Sequence, residues 1–137
     1  MTLKISLAPG ESVVIGKARV DNGGEHRCTL IITGNEVILR QKRILRERDA
    51  DTPMKRLYFV VQCMYLADDD RARDSLHELF HAVAREVVAT YPALTLEVAS
   101  VGQNILGGND YKALNEANAL VEQEAALLQN ESRGDNA

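Results

Sequence analysis

Two groups of residues in this sequence have types and spacing that could do chemistry, and the first is a histidine pair. His77 and His81 flank Glu78 in the spacing H-E-x-x-H. On a helix, this spacing lets two imidazoles share a zinc ion while the glutamate acts on a bound water. No third ligand is evident, although Glu97 is an option, and the surrounding apolar residues predict a helix packed against the core. We interpret the pair as structural and expect no cofactor, with metal binding by His77 and His81 as the alternative.

The second group is a basic segment between residues 40 and 56, in a chain whose net charge is −4. Lys and Arg displace counterions from phosphates, and Arg also stacks on unpaired bases, so the segment indicates contact with single-stranded or looped RNA. With four Tyr, two Phe and no Trp, we expect no aromatic stacking platform. The predicted nucleic-acid contacts are Arg40, Lys42, Arg43, Arg46, Arg48, Lys55 and Arg56.

Charge is divided unevenly along the chain. Residues 1–56 carry 11 Lys or Arg against 7 Asp or Glu, whereas residues 57–137 carry 5 against 13. This asymmetry favours a polyanion as the partner of the basic part. As an alternative, the two parts attract one another, within one protomer or across a dimer. The sequence has no nucleophile elbow, phosphate-binding loop or dinucleotide-binding glycine motif, so we expect a protein that is not an enzyme.

These groups must be positioned by an N-terminal set of strands and a C-terminal set of helices. Apolar alternation and turn residues predict strands over 3–7, 12–15, 18–20, 27–33 and 36–42, with a hairpin at 22–24. So small a module buries little by itself, and we expect it to pack on the helices or on a second copy. The predicted fold class is α+β: a small N-terminal antiparallel β-module packed on a C-terminal α-helical bundle.

Four helices are predicted after residue 51. The first begins with Thr52 as its N-cap and Pro53 in its first turn, and it is apolar almost all round. The others are predicted from the Asp68–Asp70 cap to Thr90, over 93–106 and over 110–128. The predicted domains are a β-stranded module with a basic C-terminal edge (1–50), a helical bundle (51–130) and a disordered tail (131–137).

The composition indicates a globular chain of the cytoplasm. The N-terminus has no apolar stretch long enough for a signal peptide, and the uncharged run 57–67 is too short to span a bilayer. Cys28 and Cys63 lack C-x-x-C spacing and are expected to stay reduced. We therefore expect a cytoplasmic protein without membrane contact.

Several segments resemble the bacterial flagellar biosynthesis repressor family FlbT. The most specific is the stretch from Thr52 to Leu66, which is similar to the family's "TP..R.YF..Q.MYL". Pro9-Gly10-Glu11, Ile38-Leu39-Arg40 and the closing helix from Tyr111 add to it. The resemblance implies a post-transcriptional repressor that binds the 5′ untranslated leader of flagellin mRNA and lowers its translation or stability. It supplies no contact residues, so the seven cations are inferred from charge.

The alternative function is a protein-interaction module, suggested by the acidic helical half. Such a module would act on flagellin, an export factor or another flagellar regulator, with only indirect effects on RNA. A shorter stretch, Gly10-Glu11 followed by Ile15-Gly16, is also similar to the carbon-storage regulators. That resemblance implies a homodimer with Lys4 beside Arg40 at the RNA surface.

Overall fold

The computed structural model describes residues 2–16, 18–34 and 37–135, with the main chain alone for Gln41 and for residues 132–135. By its internal contacts the chain divides into two compact units, residues 1–44 and residues 45–137. The first unit contains antiparallel strands and the second contains helices. The α+β class, with N-terminal antiparallel sheets and a C-terminal helical region, is therefore confirmed.

The described strands of the first unit form two small antiparallel sheets. In one, the first strand pairs with the fourth; in the other, the second strand lies between the third and the fifth. Ile5, Leu7 and Val13 form the buried centre of this unit. The strands are β1 (Thr2–Leu7), β2 (Ser12–Ile15), β3 (Ala18–Asp21), β4 (Cys28–Thr33) and β5 (Ile38–Arg40).

The segment 22–24 does not close a hairpin between β3 and β4, contrary to the sequence prediction. β3 pairs with β2, and β4 pairs with β1. The side-chain amide of buried Asn22 donates to the carbonyls of Leu7 and His26, at 2.9 Å each, and its Oδ1 accepts from the N–H of Gly24. These bonds fix a crossover from one sheet to the other. The last strand is also shorter than predicted, since Lys42 lies in a 3-10 turn and the predicted start at Glu36 lies outside the described residues.

The second unit contains five described helices and two 3-10 turns. The helix predicted from Asp68 to Thr90 is split in two at residues 75–76. Ser75 is the C-cap of the first piece, and its hydroxyl donates to the carbonyl of Ala72 at 2.7 Å. The helices are α1 (Pro53–Tyr65), α2 (Asp70–Asp74), α3 (His77–Thr90), α4 (Thr95–Leu106) and α5 (Asp110–Asp135), with 3-10 turns at Glu47–Asp49 and Pro92–Leu94.

α5 continues through Asp135, beyond the predicted end at Leu128. Whether the predicted tail 131–137 is disordered stays a prediction, and its last two residues lie outside the described part of the chain.

The helices pack around a core supplied mainly by α1. α1 packs against α3 and α5, and α5 packs against α4, whereas α3 and α4 contact each other sparsely. Leu57, Val61 and Met64 of α1 are buried. Leu79 of α3, by contrast, is 51% exposed. Phe80, Val83 and Val87 define the inward face of α3, and Leu79 lies about a quarter turn away from Phe80.

A buried carboxylate joins three helices of the second unit. Glu124, on α5, is 1% exposed. Its Oε1 accepts a hydrogen bond from the hydroxyl of Thr52, and its Oε2 accepts from the N–H of Met54 at 3.2 Å and the hydroxyl of Tyr91 at 2.9 Å. Thr52 also accepts from the N–H of Lys55, which confirms it as the N-cap of α1. The charge of Glu124 lies at the positive N-terminal end of α1, where an anion is favourable.

Tyr91 makes the stability of the helical unit sensitive to alkali. Burial and the hydrogen bond to Glu124 raise the pKa of the Tyr91 phenol from 10 to about 12. Between these values the unfolded chain loses the proton while the folded chain keeps it, so the free energy of unfolding falls as pH rises through this window. Urea titrations at several pH values should show this fall in the parent protein and a smaller fall in Tyr91→Phe. Equal slopes in the two proteins would contradict the assignment.

Candidate nucleic-acid interface

The seven predicted RNA-contacting cations fall in both units. Arg40, Lys42 and Arg43 belong to the first unit. The remaining four, which belong to the second unit, are Arg46, Arg48, Lys55 and Arg56.

In the first unit, the three predicted cations differ in exposure. Arg40 ends β5, and its Nη1 donates to the carbonyl of Ser6 at 3.3 Å. Lys42 is exposed on the following 3-10 turn. Arg43 is half-buried, and its Nε is inaccessible to solvent. Of these three predicted cations, Lys42 is therefore the one that is exposed.

Two further cations, Arg27 and the previously considered Lys4, belong to the same part of the first unit. The Nη1 of Arg27 donates to the hydroxyl of Ser6 at 3.0 Å. Lys4 is exposed on β1 two residues before Ser6, and alternate strand residues share one face of a sheet. Lys4, Ser6, Arg27 and Arg40 are called the Ser6 face below. β1 and β4 contain no acidic residue, so no carboxylate of either strand offsets these cations.

Sequence reasoning did not select Arg27 as a candidate, for a physical reason. The pairing of β1 with β4 brings Arg27 to Ser6, which lies 21 positions earlier in the chain. No local sequence pattern indicates this pairing. Arg19, by contrast, is already neutralised, because its Nε lies 2.8 Å from Asp21 Oδ1. The hydroxyl of Ser12 and the guanidinium of Arg19 both lower the pKa of Asp21.

In the second unit, most of the predicted cations have carboxylate neighbours. Arg46 Nε lies 2.9 Å from Asp49 Oδ2, and Lys55 Nζ lies 3.3 Å from Asp51 Oδ1. Arg56 pairs with Glu86 of α3. Arg48 is exposed, and no side chain among the described residues pairs with it. Exposed pairs of this kind are weak, so a phosphate can displace them, but they offset the local positive charge.

Gln62 fixes the main chain just before Arg46. This buried amide donates through Nε2 to the carbonyl of Leu45 and accepts through Oε1 from the N–H of the same residue, at 2.8 Å each. Thr52 and Arg56 are also held within the unit, by Glu124 and Glu86. Thr52, Arg56 and Gln62 of the family-like stretch therefore make structural contacts.

The histidine pair shows no arrangement of metal ligands. His77 Nε2 lies 3.5 Å from Asp74 Oδ1, and exposed His81 packs edge-on to the ring of Phe80. Among the described residues, no group of three or more His, Cys, Asp and Glu side chains is placed to hold a metal ion. Cys28 and Cys63 are unpaired, and burial raises the pKa of the Cys63 thiol, which lowers its thiolate fraction.

None of the helices in the described part of the chain combines the length and hydrophobicity that a bilayer crossing requires.

Comparison with known proteins identifies the family. Residues 3–128 match the family model described as "Flagellar protein FlbT". A protein of Rhodopseudomonas palustris (strain TIE-1), named "Probable flagellum biosynthesis repressor protein FlbT", is 38% identical over 128 residues, which cover 93% of this chain and 98% of the relative. The "Flagellum biosynthesis repressor protein FlbT" of Caulobacter vibrioides (strain ATCC 19089 / CIP 103742 / CB 15) is 32% identical over 136 residues, covering 98% and 94% of the two chains.

No solved structure gives a significant match. The family model and these relatives each span most of the chain, through both the β-stranded unit and the helices. The chain therefore belongs to the FlbT family of flagellar proteins.

Proposed function

We propose that this chain is a repressor of flagellum biosynthesis that binds the 5′ untranslated leader of flagellin mRNA and lowers its translation or stability. The repressor role is supported by family membership and by the names of the relatives. The RNA step is supported chiefly by the Ser6 face, whose three cations lie beside two strands without acidic residues. The protein acts stoichiometrically, without catalysis and without a cofactor.

The Ser6 face is suited to hold phosphates. Arg27 and Arg40 each direct one guanidinium nitrogen to Ser6, which leaves their remaining N–H groups for phosphate oxygens. These contacts also restrict both side chains before binding, so less conformational entropy is lost when RNA arrives. Ile31, paired with Lys4 in the sheet register, is 70% exposed and offers an apolar surface for an unpaired base.

The cations of the second unit make a smaller contribution in this proposal. Arg46, Lys55 and Arg56 have Asp49, Asp51 and Glu86 as neighbours. Arg48 lacks such a neighbour among the described residues and is the strongest contact of that set. Lys42, exposed just after Arg40, extends the Ser6 face.

The test compares two variants that each lose four positive charges. In the first, Lys4, Arg27, Arg40 and Lys42 are changed to Gln; in the matched control, Arg46, Arg48, Lys55 and Arg56 are changed to Gln. Binding to a labelled flagellin leader and to a scrambled RNA is measured at several salt concentrations. The first variant should bind the leader roughly 100-fold more weakly, with a salt slope less steep by about 3 if each cation engages one phosphate. The control should lose clearly less affinity.

Equal losses of affinity in the two variants would mean that the net positive charge alone accounts for RNA binding. The Ser6 face would then have no special part in it. Parent protein that binds leader and scrambled RNA equally weakly would reject direct recognition. Repression would then require a protein partner such as flagellin, an export factor or another flagellar regulator. Circular dichroism of both variants must match the parent, because Arg27 and Arg40 also contact Ser6.

A further inference from the structure

α3 and α4 leave an apolar groove open between them. The two helices are joined by the Pro92–Leu94 turn and touch sparsely elsewhere, whereas α1 and α5 close the other sides of the helical unit. The groove has a volume of about 760 Å³. Phe80, Ala84 and Val88 line it on α3, and Val98 and Ala99 line it on α4. Such a surface between two helices of a bundle has room for one more helix.

The charge of the groove restricts what can fill it. Its ionisable lining residues are His81 and Arg85, and no acidic residue is among them. This is unusual within residues 57–137, where 13 Asp or Glu face 5 Lys or Arg. Arg85 is exposed, and no ion pair engages it among the residues that the structure describes. The groove therefore fits an apolar helical segment that carries an acid.

The C-terminal end of α5 is a segment of this kind. Glu124 is buried, and every residue from 125 to 131 is exposed. Leu127 and Leu128, at 42% exposure each, flank the line along which the buried residues of α5 lie, and Glu131 follows one turn later. Leu120, two turns before Leu127, is buried, whereas the residues that the structure describes leave Leu127 and Leu128 partly open to solvent.

The lengths of segment and groove also agree. Residues 125–135 of α5 extend for about 16 Å at the helical rise of 1.5 Å per residue. The α4 wall of the groove, from Thr95 to Leu106, extends for about 18 Å, which is long enough for the segment. In its own chain the segment continues a helix that packs on α1 and α4, and the side chains of residues 125–131 are exposed. It therefore does not occupy its own groove.

We propose that the end of α5 (residues 125–135) docks in the α3–α4 groove of a second copy, and that the exchange is reciprocal. The leucines enter the apolar groove, and Glu131 approaches Arg85 and His81. Because both copies supply the same segment and the same groove, the product is a closed two-fold dimer. The inference is independent of RNA binding.

Sedimentation of the full chain at micromolar concentrations tests the proposal. The parent protein should be a dimer, and the double variant Leu127→Ser, Leu128→Ser should dimerise at least roughly 100-fold more weakly, because two leucines lose a buried site. The matched control is Leu79→Ser, Leu96→Ser, which replaces two exposed leucines outside the groove lining. This control should sediment like the parent. A monomeric parent, or equal behaviour of the two double variants, would overturn the proposal.

A charge exchange tests the pairing itself. Arg85→Glu alone and Glu131→Arg alone each place like charges together in both grooves, so each variant should be mainly monomeric. Mixing the two variants restores opposite charges in both grooves of the mixed pair, and the dimer should return. Failure of the mixture to dimerise, with both variants folded, would show that these residues do not meet.

Discussion

Replacing Glu124 by Ala is expected to lower the free energy of unfolding by about 3–4 kcal/mol, since the carboxylate accepts three hydrogen bonds in a buried site. Its loss leaves the N–H of Met54 and the hydroxyl of Tyr91 without their acceptor, and buried donors without partners are costly. The loss also removes the negative charge at the start of α1. Urea denaturation followed by circular dichroism measures the change directly.

Two further variants separate the carboxylate from the side chain that carries it. Glu124→Gln keeps the shape of the side chain and one acceptor oxygen, but its NH₂ group faces other hydrogen-bond donors. We therefore expect roughly half of the stability loss of Glu124→Ala in this variant. Glu122→Ala removes an exposed acid from the same helix and should change stability by less than about 0.5 kcal/mol. If Glu124→Ala proves as mild as Glu122→Ala, the carboxylate does not hold the helices together.

Sequence reasoning succeeds at Thr52 and fails at Glu124 because of the distance along the chain. The N-cap is a local feature, in which a hydroxyl meets a backbone N–H three residues later, and Pro53 marks the same boundary. The partners of Glu124 lie 70 and 33 residues away in the sequence. From the sequence, Glu124 is one more polar residue near the end of the predicted helix 110–128. In the structure Glu124 is buried, whereas Leu128 is exposed.

The same distinction applies to the candidate site. The sequence shows which residues are cations. It also indicates local ion pairs, such as Arg46 with Asp49 three positions later. Arg56 meets Glu86 across 30 positions, and Arg27 meets Ser6 across 21. These long-range contacts decide which cations have nearby carboxylates and which gather on one face. A linear run of charge therefore shows which cations are present, but not which of them have carboxylate neighbours in the folded chain.

The second large effect on stability is expected at Arg73, in the short helix α2. This residue lies near the end of α2, and its guanidinium makes a bidentate pair with Asp110 in the first turn of α5, with Nε–Oδ2 and Nη2–Oδ1 distances of 2.7 Å. The guanidinium also donates to the carbonyl of Ile105, near the end of α4. The side chains are 19% and 16% exposed, so the pair is largely shielded from solvent. Its hydrogen bonds to Asp110 raise the pKa of Arg73.

Arg73→Ala should therefore cost about 3 kcal/mol of unfolding free energy, because it leaves Asp110 partly buried without its counter-charge. Arg73→Lys keeps the charge but not the planar fork, and should recover only part of the loss. The exposed neighbour Arg71, changed to Ala, serves as the control and should have little effect.

A double-mutant cycle with Asp110→Ala decides between a specific pair and a general loss of packing. Coupling between the two residues should reach about 2–3 kcal/mol, because each single change already removes the same bidentate contact. Additive losses of unfolding free energy would mean that Arg73 stabilises the protein only through its hydrogen bond to the carbonyl of Ile105. In that case the junction of α2, α4 and α5 would depend on a main-chain contact, and Asp110 would serve only the first turn of its own helix.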